Sequence, residues 1–210
     1  MERTTIVEAK ELFGKNFLGP NELAPLFKRM GLSSTVENTS VIPYNKEQLN
    51  KATQEGYILV YVIDKIGDIV ININLFRDIF GIDSGKSEPC LYNQDWYMAE
   101  DFIQKPTEAG WHLIKKDVFE DSRAVMPLDL MAKDIKFPTA ILCTYTFFAY
   151  YYANNEILWY HDFVWCSDTD HNGDRIYVGK YHDIDGVNKN GFSIHRHLAL
   201  RTCYGAIGVM

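Results

Sequence analysis

The sequence predicts an α+β fold: a helical N-terminal part, then a long buried helix packed on a largely antiparallel C-terminal sheet. Three observations predict it. Apolar residues recur at helical spacing through residues 5–80, interrupted by one β-branched and aromatic run, YILVYVI at 57–63. Residues 138–154, PTAILCTYTFFAYYYAN, are apolar nearly all round, the pattern of a helix covered on every side. From residue 157 onward, aromatic runs alternate with Asn-Gly and Asp-Gly pairs, which signal hairpins.

Each element follows from local signals. Residues 5–14 place Ile6, Ala9, Leu12 and Phe13 on one side of a helix, with Gly14 as its stop. A second helix is expected over 21–30, with Asn21 as N-cap, Pro25 near the first turn and Gly31 as a left-handed stop. Asn45 caps a third, KEQLNKATQE, which Gly56 ends before the strand at 57–63. Ile71, Leu75, Phe76 and Ile79 predict a helix over 71–80. The polar stretch 83–93, with Gly85 and Pro89, is the best boundary. It separates an α-rich part (1–83) from an α+β part (94–210), or joins them as one continuous domain. Gly110 introduces the short run WHLI. Pro138 is expected at the first helical position of the long helix, and Asn154-Asn155 ends it. Strands are expected at 157–166 and 175–181, joined by a type I′ turn at Asn172-Gly173. A last strand over 192–201 follows the Asp185-Gly186 and Asn190-Gly191 turns.

Composition bounds the function. With 47% hydrophobic and 23% charged residues, the chain is ordinary globular material and not disordered. A formal net charge of −7, with no basic arm, argues against nucleic acid as a partner. The longest apolar stretch, 141–153, is too short to span a bilayer, so no membrane association is expected. Cys90, Cys143, Cys166 and Cys203 form no CxxC pair, which excludes a zinc ribbon. With no signal-peptide pattern at the start, a reducing cytoplasm is the expected compartment.

Polar chemistry concentrates in residues 161–201, which hold five of the six histidines. Asp168, Asp170, Asn172 and Asp174 alternate like the first half of an oxygen-ligand calcium loop. Gly179 stands where an EF-hand has its bidentate Glu, and the same residues are also good turn formers. His195 and His197 would share one face of a strand and could hold zinc or another transition metal, with His161, His182 or Asp183 as further ligands. No cofactor is required by either pattern. There is no G-x-S-x-G elbow, P-loop or G-x-G-x-x-G. The adjacent acids Glu100-Asp101 and Glu120-Asp121 read as solvated charges.

Three segments in order, GWHL at 110–113, VWCS at 164–167 and NGFSI at 190–194, resemble the bacterial C-type-lectin-like modules of Fibrobacter-type paralogous domains. The resemblance covers the C-terminal half, and Ile114-Lys115 depart from the Pro-Thr or Pro-Ser of such modules. It implies a fold that binds a ligand or partner, with no binding residue carried over. The resulting expectation is a non-enzymatic binding or interaction protein, whose partner is a protein or a small-molecule or carbohydrate ligand. The alternative is a metal-dependent hydrolase or nuclease built on the His-rich C-terminal strands. A third reading is an assembly subunit of a mobile element.

Overall fold

The computed structural model describes residues 4–32, 41–86, 88–181, 190–196 and 200–210. Helix α1 (Ile6–Phe13) opens on a capping box. The Glu8 amide donates to the Thr5 hydroxyl at 3.2 Å, and the Thr5 amide donates to Glu8 Oε2 at 2.9 Å. After strand β1 (Phe17–Leu18), helix α2 (Pro20–Arg29) starts earlier than the sequence signals suggest. Pro20 takes the first helical position, where a missing N–H costs nothing, and Gly19, not Asn21, is the N-cap. Pro25 consequently lies inside the helix and removes its bond to the Asn21 carbonyl. The helix closes as a Schellman motif: Leu32 N–H donates to the Phe27 carbonyl and Gly31 N–H to that of Lys28. Helix α3 (Lys46–Gln54) repeats the capping box with Asn45 and Gln48.

Strand β2 (Tyr57–Val62) is the centre of a three-stranded sheet, parallel to β1. A small hairpin of β3 (Lys65–Ile66) and β4 (Ile69–Val70) leads to helix α4 (Ile73–Phe80), capped by Asn72. Two short 3-10 turns, Trp96–Ala99 and Asp101–Gln104, precede β5 (Gly110–Lys115), which pairs antiparallel with β2. The continuous apolar run of β2 is explained by burial on both faces. Ile58, Val60 and Val62 join the main core, while Tyr57 and Leu59 pack with Phe13 of α1, Leu49 of α3 and Trp111 of β5.

Helix α5 (Pro127–Met131) is followed by α6 (Ala140–Asn154), whose residues 140–150 are all buried. Pro138 is not its first helical residue. Thr139 is the N-cap, its hydroxyl accepting from Leu142 N–H at 3.2 Å, and Pro138 lies just outside with its carbonyl accepting from Ser167 N–H. Phe148 of α6 stacks on Phe80 at 4.2 Å, and Phe147 packs against Phe192 at 4.6 Å. This core takes residues from both sides of the 83–93 stretch.

The second sheet runs β8-β7-β6-β9, from β6 (Phe163–Thr169), β7 (Arg175–Gly179), β8 (Ser193–His195) and β9 (Tyr204–Gly205). Pairing is antiparallel except for β9 beside β6. The strand expected over 157–166 begins only at Phe163, because Trp159 adopts φ +48° and donates its indole N–H to the Lys116 carbonyl. The hairpin turn is not type I′ either. Only Gly173 has positive φ (+85°); residues 171–173 form a three-residue loop with Gly173 N–H donating to the Asp170 carbonyl. The last strand is short, 193–195 within the expected 192–201, and the Asp185-Gly186 turn lies outside the described residues. Successive residues of this sheet face opposite ways. Val164, Cys166, Ile176 and Val178 meet the α6 core; Phe163, Trp165 and Tyr177 form an aromatic face covered by Leu130, Phe137 and Ala206.

Candidate functional site

The alternating acids do not converge on one point. Asp168 turns to the start of α6, where Oδ2 accepts from Ala140 N–H at 2.6 Å. Burial pushes its carboxyl pKa up, against the lowering effect of that N–H and of Lys105. Asp170 is buried and its oxygens are spoken for. Oδ1 accepts from Asn172 N–H at 2.9 Å and Asp174 N–H at 2.8 Å, and Oδ2 accepts from Arg196 Nη1 at 2.6 Å. Desolvation opposes ionisation there, but the Arg196 and backbone N–H bonds win and hold the carboxyl below its usual range. Asn172 is exposed and Asp174 half-buried. A register irregularity between Trp165 and Thr169 separates the end of the strand from its regular part.

What does converge is a cluster the sequence reading missed. Glu100, Asp170 and His171 bring ligand atoms within 4.8 Å of one another. His171 Nδ1 is 2.7 Å from Glu100 Oε1, and its backbone N–H donates to Glu100 Oε2 at 3.0 Å. Arg196 Nη1 reaches Glu100 Oε1 at 3.4 Å as well as Asp170, and its guanidinium lies 4.6 Å from the Trp96 ring centroid. Glu100, read from sequence as a solvated charge, is 6% exposed, whereas Asp101, Glu120 and Asp121 are exposed as expected. Its partners lie 70 or more residues downstream, so no local signal marks it. Two buried carboxylates with one guanidinium and an exposed imidazole fasten the 96–104 turns to the β6–β7 hairpin.

Of the histidine pair, only His195 lies among the described residues. His195 packs on the aromatic face, stacked on Tyr177 at 5.7 Å and edge-on to Phe163, with Gln94 Nε2 3.1 Å from its Nε2. Burial, helped by Lys180, pushes its pKa down to about 4, so the ring is neutral at neutral pH. His195 joins no group of three converging ligand atoms among the described residues, and His161 is exposed. His197, His182 and Asp183 lie outside the described residues.

A third feature lies beside the aromatic face. An open cavity of about 420 Å³ is lined by Met131, Ile135 and Phe137, with Ser167, Arg175, Lys136 and Asp134 at its polar edge. Met131 at the end of α5 lines it, and the same short segment exposes other apolar side chains: Leu128 is 72% exposed, Met131 44% and the N-cap residue Met126 47%, while Pro127 and Leu130 are buried. Arg175 lies over the Phe137 ring at 5.7 Å and donates from Nη1 to the Cys166 and Ser167 carbonyls. The chain matches no protein-family model, no curated protein and no solved structure.

Proposed function

We propose that this chain is a non-enzymatic interaction protein that grips a segment of a partner protein at the cavity beside α5. The observation that carries this reading is an open, largely apolar cavity lined by the exposed Met131, in a short segment that also exposes Met126 and Leu128. Isolated exposed apolar residues are normal, but three within six consecutive residues, the last of them lining a cavity, favour a contact surface. Methionines adapt their shape to a partner's side chains. The openness of the cavity favours a protein segment over a small ligand, since small-molecule sites bury most of their ligand. The binding expectation raised by segments 110–113, 164–167 and 190–194 agrees with it. The acidic net charge supports a protein partner over nucleic acid. No described helix is long and apolar enough to cross a membrane. The buried free thiols of Cys90, Cys143 and Cys166 support a reducing compartment such as the cytoplasm.

Among the described residues, the Glu100, Asp170 and His171 convergence is the feature that favours a metal-dependent hydrolase or nuclease. Arg196 weighs against it, because its guanidinium already holds the buried carboxylates and any divalent ion would have to displace it. Panning a displayed dodecapeptide library on the full chain tests the interaction reading. Selected peptides should lose at least tenfold in affinity for Leu128→Asp and Met131→Asp proteins of unchanged melting temperature. Peptides that bind both variants like the parent would remove the α5 surface from consideration.

A further inference from the structure

Resting on that reading, we infer that the partner presents a carboxylate side chain next to an apolar one, the carboxylate meeting Arg175 and the apolar group entering between Phe137, Ile135 and Met131. Three charged side chains line the cavity: Asp134, Lys136 and Arg175. Asp134 and Lys136 cancel in sign, which leaves Arg175 as the excess positive charge in a chain of net charge −7. Most arginines of the described fold are spoken for by acids: Arg29 by Glu88, Arg77 by Asp95, Arg123 by Glu120 and Asp162, Arg196 by Asp170. Arg175 has no carboxylate oxygen within ion-pair distance among the described residues. Asp168 lies close enough for Arg175 to lower its pKa, but its Oδ2 is committed to Ala140 N–H.

The geometry also prepares Arg175 for an anion. Its Nη1 is anchored on two backbone carbonyls and its plane is backed by the Phe137 ring, so the guanidinium is held rather than swinging in solvent. A guanidinium has five N–H donors, and those on Nε and Nη2 remain for a ligand. Two parallel N–H donors match the two oxygens of a carboxylate, a pairing stronger than either neutral bond alone. The exposed Ser167 hydroxyl at the same edge adds a donor. The apolar floor adjoining this fork is why the acid should come with a hydrocarbon neighbour. A partner Asp or Glu beside a Leu, Met or Phe satisfies both halves at once.

Three probes with the same phenyl-propyl body separate the halves: 3-phenylpropanoate, 3-phenylpropanamide and 3-phenylpropylamine. Each is titrated into the ¹⁵N-labelled full chain, following the amides of residues 135–137, 167 and 175. The carboxylate should bind roughly tenfold more tightly than the amide, the scale of a charge-assisted pair. The amine should bind most weakly. In Arg175→Gln the carboxylate should fall to the level of the amide, whose own affinity should stay put; Arg175→Lys should restore only part of the preference because it lacks the fork. Equal binding of carboxylate and amide by the parent protein would overturn the inference while leaving the apolar docking site standing. If none of the probes shifts these amides and Leu128→Asp changes nothing in peptide binding, both the inference and the docking reading fall.

Discussion

His195 provides a direct test of the aromatic face, because its environment translates into a pH dependence. Its pKa falls from the ordinary 6.5 to about 4, chiefly through burial against Tyr177, Phe163 and Gln94 and secondarily through the positive charge of Lys180. The folded protein therefore resists a proton that the unfolded chain accepts. Stability from this group is fully present above pH 6.5 and is lost as pH falls through the interval toward 4. At about 1.36 kcal/mol per pKa unit, the whole interval corresponds to at most about 3 kcal/mol, and partial exposure of the ring lowers that to roughly 2 kcal/mol. The perturbation is His195→Gln, which removes the titration and keeps a polar partner for Gln94. Urea melts at half-unit steps from pH 4.5 to 7.5 give the unfolding free energy of both proteins. The parent should lose roughly 1–2 kcal/mol more than the variant between pH 7 and 4.5. Parallel pH profiles, or an imidazole NMR titration midpoint above 6, would refute the burial argument and free His195 for a metal.

Other outcomes follow from the same structure. Phe148→Ala should cost about 4 kcal/mol, since the ring is fully buried and stacked on Phe80, and a urea-melt loss below about 1 kcal/mol would place α6 at the surface. Arg196→Leu should destabilise by about 3 kcal/mol at pH 7 by leaving Asp170 and Glu100 buried without a cation. Because the Asp170 pKa is depressed, its contribution is present above about pH 4 and lost on further acidification. The gap between parent and Arg196→Leu should accordingly narrow below pH 4, and a constant gap would contradict the pairing. Dialysed protein should show a melting shift of no more than about two degrees with millimolar calcium or micromolar zinc, since tight binding to the native state would raise the melting point by linkage. A large zinc stabilisation lost in Glu100→Gln with His171→Ala would promote the metalloenzyme reading.

Periodicity made most of the framework legible. The cap Asn45, the stops Gly14, Gly31 and Gly56, the strand β2 and the all-apolar α6 each carry local signals that short-range physics enforces. The misplacements are also local contests. Pro20 outbid Asn21 for the start of α2 because a proline is preorganised for the first helical position. Thr139 displaced Pro138 at α6 because a side-chain acceptor satisfies an amide that proline cannot. The polar cluster was not legible for a different reason. Asp170 and Arg196 were visible as turn and strand residues, but Glu100 gains its burial only when the 96–104 turns dock on the β6–β7 hairpin. A contact across so long a separation leaves no periodic trace in one sequence.

The distinction that matters for function is between polar groups the fold consumes and those it leaves available. Asp168 serves the α6 terminus, Asp170 serves its own loop and Arg196, and His195 is held neutral among aromatic rings. These residues looked most like chemistry in the sequence, and each now has a structural occupation. Helix α5, whose Leu130 covers the aromatic face, buries Pro127 and Leu130 and leaves Leu128, Met131 and the N-cap Met126 exposed. Burying Leu128 would bring about 2 kcal/mol of hydrophobic stabilisation, and the isolated fold forgoes it. The exposed Met131 shares the cavity with Arg175, which has no acid partner among the described residues, so on the proposed reading a partner docking there would gain from both at once. This coincidence of an apolar and an ionic deficit is what the proposed association would relieve, because neither deficit needs a reacting bond.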